Sequence, residues 1–420
     1  MKRASRGCGV SRRTFTVAAS TVLSAPYFIP AAALGADAKA PPSERVAVGH
    51  IGVGTRGRAL YGAFQQVAEA QSVAVADCFA SRREATAAAC KGKAYADFRD
   101  LLADESIDAV VVATPDHWHV PIANAAARAG KDCYVEKPLG LTLAQDLKCL
   151  QTFREHDRIF QYGTQQRSMA HCWLGCSLVR AGRVGKVKEI QVVAPNGGKG
   201  GSTTPAPMPP GFDYKMWLGP APDAPYTTDR CRPPGTYWVY DQSIGYLAGW
   251  GAHPLDIMVW ADDSDLAGPF SVKGTGKIPA EGLYDCVYDW DMTLKMANGV
   301  TITFKPGGDS TKFIGEAGWI DVRRKGTTAS DPAWLKENPS DSPLVRSGHH
   351  AGDFIAAVKS RKDPVSDIEG AVRSDIISQL CDIAVRTGRE ITWDPKTRTI
   401  VGDAEASKLL SRPMRGPWTL

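Results

Sequence analysis

Between Val46 and Gly163 the chain alternates short β-branched runs with longer stretches whose apolar residues recur three and four positions apart. The pattern predicts strands at Val46–Gly52, Ser72–Asp77, Ala109–Ala113, Asp132–Glu136 and Ile159–Gly163. Helices predicted between them include Arg56–Ala70, Pro121–Ala129 and Leu143–Glu155, with Gly130 as a C-cap. Strands alternating with helices in this way predict a parallel sheet.

Beyond Ser168 the rhythm changes. A helix to Arg180 leads into a strand, Lys186–Ala194. The glycine- and proline-rich stretch from Asn196 to Gly235 is too long for a connecting turn and reads as an ordered wall of a functional site. Strands then recur without intervening helices (Phe270–Lys277, Val287–Met296, Val300–Phe304, Gly318–Arg323), and helices at Ala351–Lys359 and Ala371–Thr387 close the pattern. The expectation is an α/β Rossmann domain over residues 44–167, followed by an α+β domain over residues 168–420 with a largely antiparallel open sheet. A chain of 420 residues suits two cores.

Charge changes the picture only at the N-terminus. The formal charge is +5, and five basic residues (Lys2, Arg3, Arg6, Arg12, Arg13) precede Asp37, the first acidic one. Taking those five from the 50 basic residues leaves as many as the 45 acidic ones. So balanced a body has no electrostatic footprint for nucleic acid or an anionic membrane. Ser11-Arg12-Arg13-Thr14-Phe15 is a twin-arginine motif, and an apolar run from Thr16 to Ala33 follows it. Residues 1–36 therefore read as an export signal with cleavage after Ala33 or Ala36, which predicts a periplasmic or otherwise exported protein. Pro26 and Pro30 interrupt the run, so no stable membrane anchor is expected. Export by this route carries folded proteins to a compartment without a pool of free nicotinamide nucleotide, so a dinucleotide enzyme sent there should retain its cofactor. Without Cys8, nine cysteines remain. An odd number without framework spacing predicts free thiols, and His171, Cys172 and Cys176 match no common metal spacing.

Gly52-Val53-Gly54-Thr55-Arg56-Gly57 follows the first strand and opens a helix. The first glycine permits the tight turn, the second lets a pyrophosphate approach the backbone, and the third lets helix pack on strand. Asp77, at the end of the second strand, is placed to accept ribose hydroxyls and favours NAD. Arg82 and Arg83 leave NADP open.

Thr114-Pro115-Asp116-His117-Trp118-His119 and Glu136-Lys137-Pro138 closely resemble motifs of the glucose–fructose oxidoreductase, inositol dehydrogenase and rhizopine-catabolism family (Gfo/Idh/MocA). Gln165 with Arg167, Gly182-Arg183-Val184-Gly185, Trp217-Leu218-Gly219-Pro220, Gly251-Ala252-His253 and Arg412-Pro413 extend the resemblance from Val46 to the C-terminus, towards an exported, sugar-associated branch. The resemblance implies a cofactor site that also includes Thr114, Pro115, His119, Glu136, Lys137 and Gln165. It further implies a sugar, cyclitol or derivative as substrate, and association into a dimer or tetramer through the open sheet face.

Lys137 ends a strand at the carboxyl edge of the sheet, where ligands bind in doubly wound folds. A lysine ammonium there would help a substrate hydroxyl lose its proton. His253 is the candidate general acid/base, with Asp256 three residues on to orient the imidazole or meet the substrate. The family's dehydrogenases usually carry Asp four residues before this His, where this chain has Gly249. Tyr246, near that gap, is a replacement proton donor. Arg167, Arg230, Arg232 and Trp238 are candidates for a sugar-binding wall. The expected function is an NAD(P)-dependent oxidoreductase acting on a sugar, cyclitol or glycoside with tightly bound cofactor. Its alternatives are an NAD-dependent glycoside hydrolase working through transient ring oxidation, and a non-catalytic sugar-binding protein.

Overall fold

Strands rich in valine and alanine, apolar on both sides, build the first sheet. A computed structural model describes residue 41, residues 44–262 and residues 264–420; the twin-arginine motif and both cleavage points lie outside the described residues. The six strands β1 (Val46–Ile51), β2 (Ala70–Ala76), β3 (Lys93–Tyr95), β4 (Ala109–Val112), β5 (Asp132–Val135) and β6 (Phe160–Tyr162) run in the order β3-β2-β1-β4-β5-β6. Every neighbouring pair is parallel. The strand order reverses between β1 and β4, and such a switch point opens a crevice at the carboxyl ends of the strands.

The predicted helix Arg56–Ala70 is in fact Thr55–Gln65, because the chain turns at Gln66 and β2 already starts at Ala70. The helix Leu143–Glu155 matches its predicted bounds and is capped by the Thr142 side chain, which accepts from the Gln145 amide.

The second sheet has nine strands. They are β7 (Val187–Ala194), β8 (Phe270–Lys277), β9 (Asp289–Lys295), β10 (Thr301–Pro306), β11 (Ser310–Gly315), β12 (Trp319–Arg323), β13 (Gly326–Ala329), β14 (Ile391–Asp394) and β15 (Thr399–Ile400). Their order is β13-β12-β11-β7-β10-β9-β8-β14-β15, antiparallel throughout except for the β7–β10 pair. Alternation fixes its two faces. Ile190, Val192, Met292, Leu294, Ile302, Phe304 and Phe313 are buried in one core cluster with residues of the helices Ala170–Arg180, Ala252–Ala261 and Ile368–Thr387. Glu189, Gln191, Thr293, Thr303 and Lys312 occupy the alternate, partly exposed positions.

The helix Ile368–Thr387 joins the two sheets. Ile377, Leu380 and Ile383 enter the core of the second sheet, while Ala371 and Val372 enter that of the first. Burying each large aliphatic side chain is worth about 1.5–3 kcal/mol. Val46–Leu420 thereby form one compact unit. All nine cysteines beyond Cys8 are free thiols. No helix among the described residues is long and apolar enough to cross a membrane.

Candidate active site

The loop after β1 is shaped by what its glycines must avoid. Gly52 has φ +82°, and a Cβ there would stand 2.8 Å from the Ala113 carbonyl oxygen. A Cβ on Gly57 would lie 2.0 Å from the Gly52 oxygen, so the helix Thr55–Gln65 meets its strand only through glycine. Gly54 instead faces open space, with nothing nearer than Arg82 Nη1 at 3.7 Å. Gly54 is the N-cap of this helix and makes no side-chain cap. The first-turn amides thus point, unoccupied by a cap, at the place where a pyrophosphate would lie.

A cleft runs from this loop along the carboxyl ends of the strands. Gly52, Gly54, Thr55, Arg56, Asp77, Thr114, Pro115, His119, Glu136 and Lys137 all line it. Asp77 accepts from the Val53 amide and from the Phe79 amide, each at 2.8 Å, which fixes its carboxylate at the cleft; burial raises its pKa. The Thr114 hydroxyl is buried and has no partner, an unmet polar group of the kind a bound ligand satisfies. Glu136 accepts from Arg56 Nε at 2.7 Å and from Gln165 Nε2 at 3.0 Å. Gln165 therefore acts by holding Glu136, and also donates to the Tyr134 hydroxyl at 2.6 Å. His119 has its two ring nitrogens against the carbonyls of Pro138 (2.6 Å) and Thr114 (2.9 Å), tying together two segments of the cleft. These residues fit a nicotinamide dinucleotide: glycine loop for the pyrophosphate, Asp77 for a ribose, and Lys137 beyond.

The stretch 196–235 carries two short helices, Tyr214–Leu218 and Thr228–Cys231. As a strap it adds Met216, Trp217, Cys231 and Pro233 to the lining of the cleft, and the turn that follows it adds Thr236 and Tyr237. The strap is fastened to the first domain. Phe212 stacks on Phe79 at 3.9 Å, the Ala80 amide donates to Gly211 O at 2.8 Å, and the Asp213 amide donates to Cys78 O at 2.9 Å. Trp118 Nε1 donates to Trp217 O at 3.0 Å.

At the far end of the cleft the two halves of the chain meet. Lys137 Nζ donates to the Gly249 carbonyl oxygen at 2.6 Å. The amine thus meets a backbone oxygen and not a side chain at Gly249. His253 is the second residue of the next helix, Ala252–Ala261, is buried, and has an Nδ1 with no partner. Burial first, then the charges of Lys137, Arg324 and Arg56, hold its pKa well below the usual imidazole value, so the ring is neutral. Tyr246 is half-buried, its ring 4.2 Å from Trp238 and 5.9 Å from Tyr237; burial raises its pKa and keeps the phenol protonated. Trp238 is buried, so it shelves Tyr246 and does not form an open wall.

Two expectations are corrected. Arg167 is buried and grips Asp256 through two bonds, Nε–Oδ2 at 2.7 Å and Nη2–Oδ1 at 2.5 Å. Arg167 is therefore no sugar-binding wall residue. Asp256 in turn neither orients His253 nor faces a substrate, because a buried guanidinium and carboxylate satisfy each other. Arg232 is exposed on the strap. Arg230 is different: it is buried, and its Nε and Nη1 meet no acceptor. Sequence reasoning missed Tyr237, Met216 and Cys231 as cleft residues, since nothing in local spacing marks them.

The geometry defines a class: a glycine-loop cleft at the switch point of a parallel sheet, lined by a lysine whose amine is held by a backbone carbonyl from the second half of the chain. Residues 46–164 match the NAD-binding Rossmann fold of the Gfo/Idh/MocA oxidoreductase family, and residues 196–420 match its C-terminal alpha/beta domain. The chain belongs to this family. Inositol 2-dehydrogenase 1 of Saccharopolyspora erythraea is 43% identical over 109 residues, 24% of this chain and 32% of that protein. A glycosyl hydrolase family 109 protein of Shewanella amazonensis is 36% identical over 115 residues, 25% of each chain. Against these curated relatives the chain thus spans a third of their length or less. The solved WlbA dehydrogenase of Bordetella pertussis, in complex with NADH and UDP-GlcNAcA, shares the fold with a TM-score of 0.63 at 17% identity, over 82% of this chain and 98% of that one.

Proposed function

We propose that this protein is an NAD-dependent oxidoreductase acting on a CH–OH group of a sugar, cyclitol or glycoside, and that it keeps its cofactor bound. The observation that carries the reading is the Lys137 amine, which lines the glycine-loop cleft and is held on the Gly249 carbonyl, four residues before the buried His253 whose pKa its charge helps to lower. The nicotinamide, when bound, supplies a hydride acceptor and donor. Lys137 has one of its three donors on Gly249 O; the others are available to a substrate hydroxyl, whose pKa they lower. Neutral His253 is poised to take the hydroxyl proton, and protonated Tyr246 to return one. Arg230 has unmet buried donors beside the cleft residue Cys231, though it does not itself line the cleft, and it is the arginine we assign to a substrate acceptor. The strap supports retention, since it lines the cleft and is fastened to the first domain at Cys78, Phe79 and Ala80. Export through the twin-arginine motif belongs to the same proposal, because a retained cofactor needs no external pool.

A second reading has a specific observation behind it. Lys137 faces a backbone carbonyl and not a carboxylate, and a family 109 glycosyl hydrolase matches part of the chain. Transient oxidation of a ring carbon with hydride held on the nicotinamide, elimination of the aglycone, addition of water and return of the hydride to that carbon would give hydrolysis with no net redox change. Incubating purified protein with free sugars, cyclitols and glycosides, then analysing products, separates the two. A keto product supports oxidoreduction, and a released aglycone with an unoxidised sugar supports hydrolysis. Neither product from any of these classes sinks both.

A further inference from the structure

The long C-terminal helix places one carboxylate directly behind the turn that carries Lys137. Asp375 is fully buried in the middle of the helix Ile368–Thr387. Its Oδ2 accepts from the backbone amide of Leu139 at 2.6 Å, two residues after Lys137 and 236 residues away in sequence. Its Oδ1 accepts from the hydroxyl of Tyr162, in β6, at 2.5 Å. One turn further along, Gln379 Nε2 donates to Asp146 Oδ2 at 2.7 Å. The turn is also held from the other side, where His119 meets the Pro138 carbonyl at 2.6 Å. The Lys137 turn is therefore pinned between a helix of the first domain and the last long helix of the second.

We infer that Asp375 is a positioning residue for Lys137: its carboxylate fixes the Leu139 amide and so keeps the Lys137 amine at the Gly249 carbonyl, facing the substrate. Asp375 touches neither substrate nor cofactor and acts only through the turn. Two acceptor oxygens suit this task, because they take the Leu139 amide and the Tyr162 hydroxyl at once; burial pushes the carboxyl up to about 7, and these two bonds work against that by favouring its ionised form. In a buried setting they also hold direction more tightly. Tyr162 keeps the carboxylate aimed, as its hydroxyl occupies the second oxygen. The inference rests on Lys137 being the group that acts on the substrate hydroxyl.

The test is a double-mutant cycle on the holoenzyme. Asp375→Asn keeps the shape of the side chain but leaves one acceptor oxygen where two are used, by the Leu139 amide and the Tyr162 hydroxyl. The expected result is a kcat lowered about tenfold or more, with KM within about twofold, a dinucleotide content unchanged and a melting temperature close to wild type. In the Lys137→Met background the same change should cost almost nothing, because a residue acting through Lys137 has no effect once Lys137 is gone. Tyr162→Phe, which leaves the Leu139 contact in place, should lower kcat in the same direction by a smaller factor, and it serves if Asp375→Asn does not fold. A readout free of turnover is the rate at which acetic anhydride acylates Lys137, followed by mass spectrometry; Asp375→Asn should raise it several-fold as the amine leaves Gly249. If Lys137→Met alone keeps full turnover, the reading of Lys137 fails, and the acylation rate still decides the positioning. A kcat within twofold of wild type in Asp375→Asn, an equal loss in both backgrounds, or an unchanged acylation rate would overturn the inference.

Discussion

Lys137, His253 and Tyr246 carry separable duties, and single substitutions should separate them. Lys137→Met and His253→Ala should each leave the bound dinucleotide in place, because the glycine loop and Asp77 hold its other end. Each should lower turnover by about a hundredfold or more, the scale of losing a positioned acid or base. The losses need not add. Tyr246→Phe with a comparable loss shows that the phenol takes the place of the carboxylate absent at Gly249; near-native turnover in His253→Ala shows that the histidine is structural. The pH profile adds a sign. Since the pKa of His253 is held well below 6.5, the imidazole stays neutral as the pH falls through that value, and is protonated only further down. The part of the acid limb that vanishes in His253→Ala should therefore lie well below pH 6.5. A limb at 6.5 that disappears with His253 speaks against a buried neutral base.

At the scale of elements, most of the first domain was legible because its strands are short, apolar and separated by clear turn residues. β4 and β5 fall within one residue of their predicted ends. β3 escaped because Lys93-Ala94-Tyr95 has no apolar alternation and sits at the sheet edge, with Lys93 and Ala94 exposed. β11 escaped for a related reason: only Thr311 and Phe313 of Ser310–Gly315 are buried, too few to set a period. The cleft-lining residues of the glycine loop, of Thr114–His119 and of Glu136–Lys137 were readable since they sit in contiguous motifs. Arg167 and Asp256 were misjudged because a pair 89 residues apart is invisible without the fold. The strap was recognised as a wall, but its fastening was not, since Phe79 and Phe212 come together only in three dimensions. That stack gives the element its own prediction. Phe212→Ala removes a stacked pair worth about 0.5–1.5 kcal/mol beyond its buried area. The dissociation rate of bound dinucleotide should rise about tenfold, with the product spectrum unchanged. Retention equal to wild type after prolonged dialysis would show that the strap does not hold the cofactor.

At the scale of the whole molecule, the helix Ile368–Thr387 makes one body of the two sheets, while the polar face of the second sheet stays partly exposed among the described residues. We propose that a second copy covers that face, as an antiparallel sheet readily allows. Light scattering at working concentration should then give a dimer or tetramer mass, and a monomer mass removes this part of the account. The central claim is that one retained nicotinamide serves the Lys137–His253 site, and one single-turnover experiment on protein as purified tests it directly. Protein should release one equivalent of NAD(H) on denaturation. When an accepted substrate is added to the native oxidised form, the near-ultraviolet absorbance of reduced nicotinamide should appear and stay with the protein through desalting. Protein that turns substrate over yet contains no nicotinamide nucleotide, or never reduces the one it holds, contradicts the account.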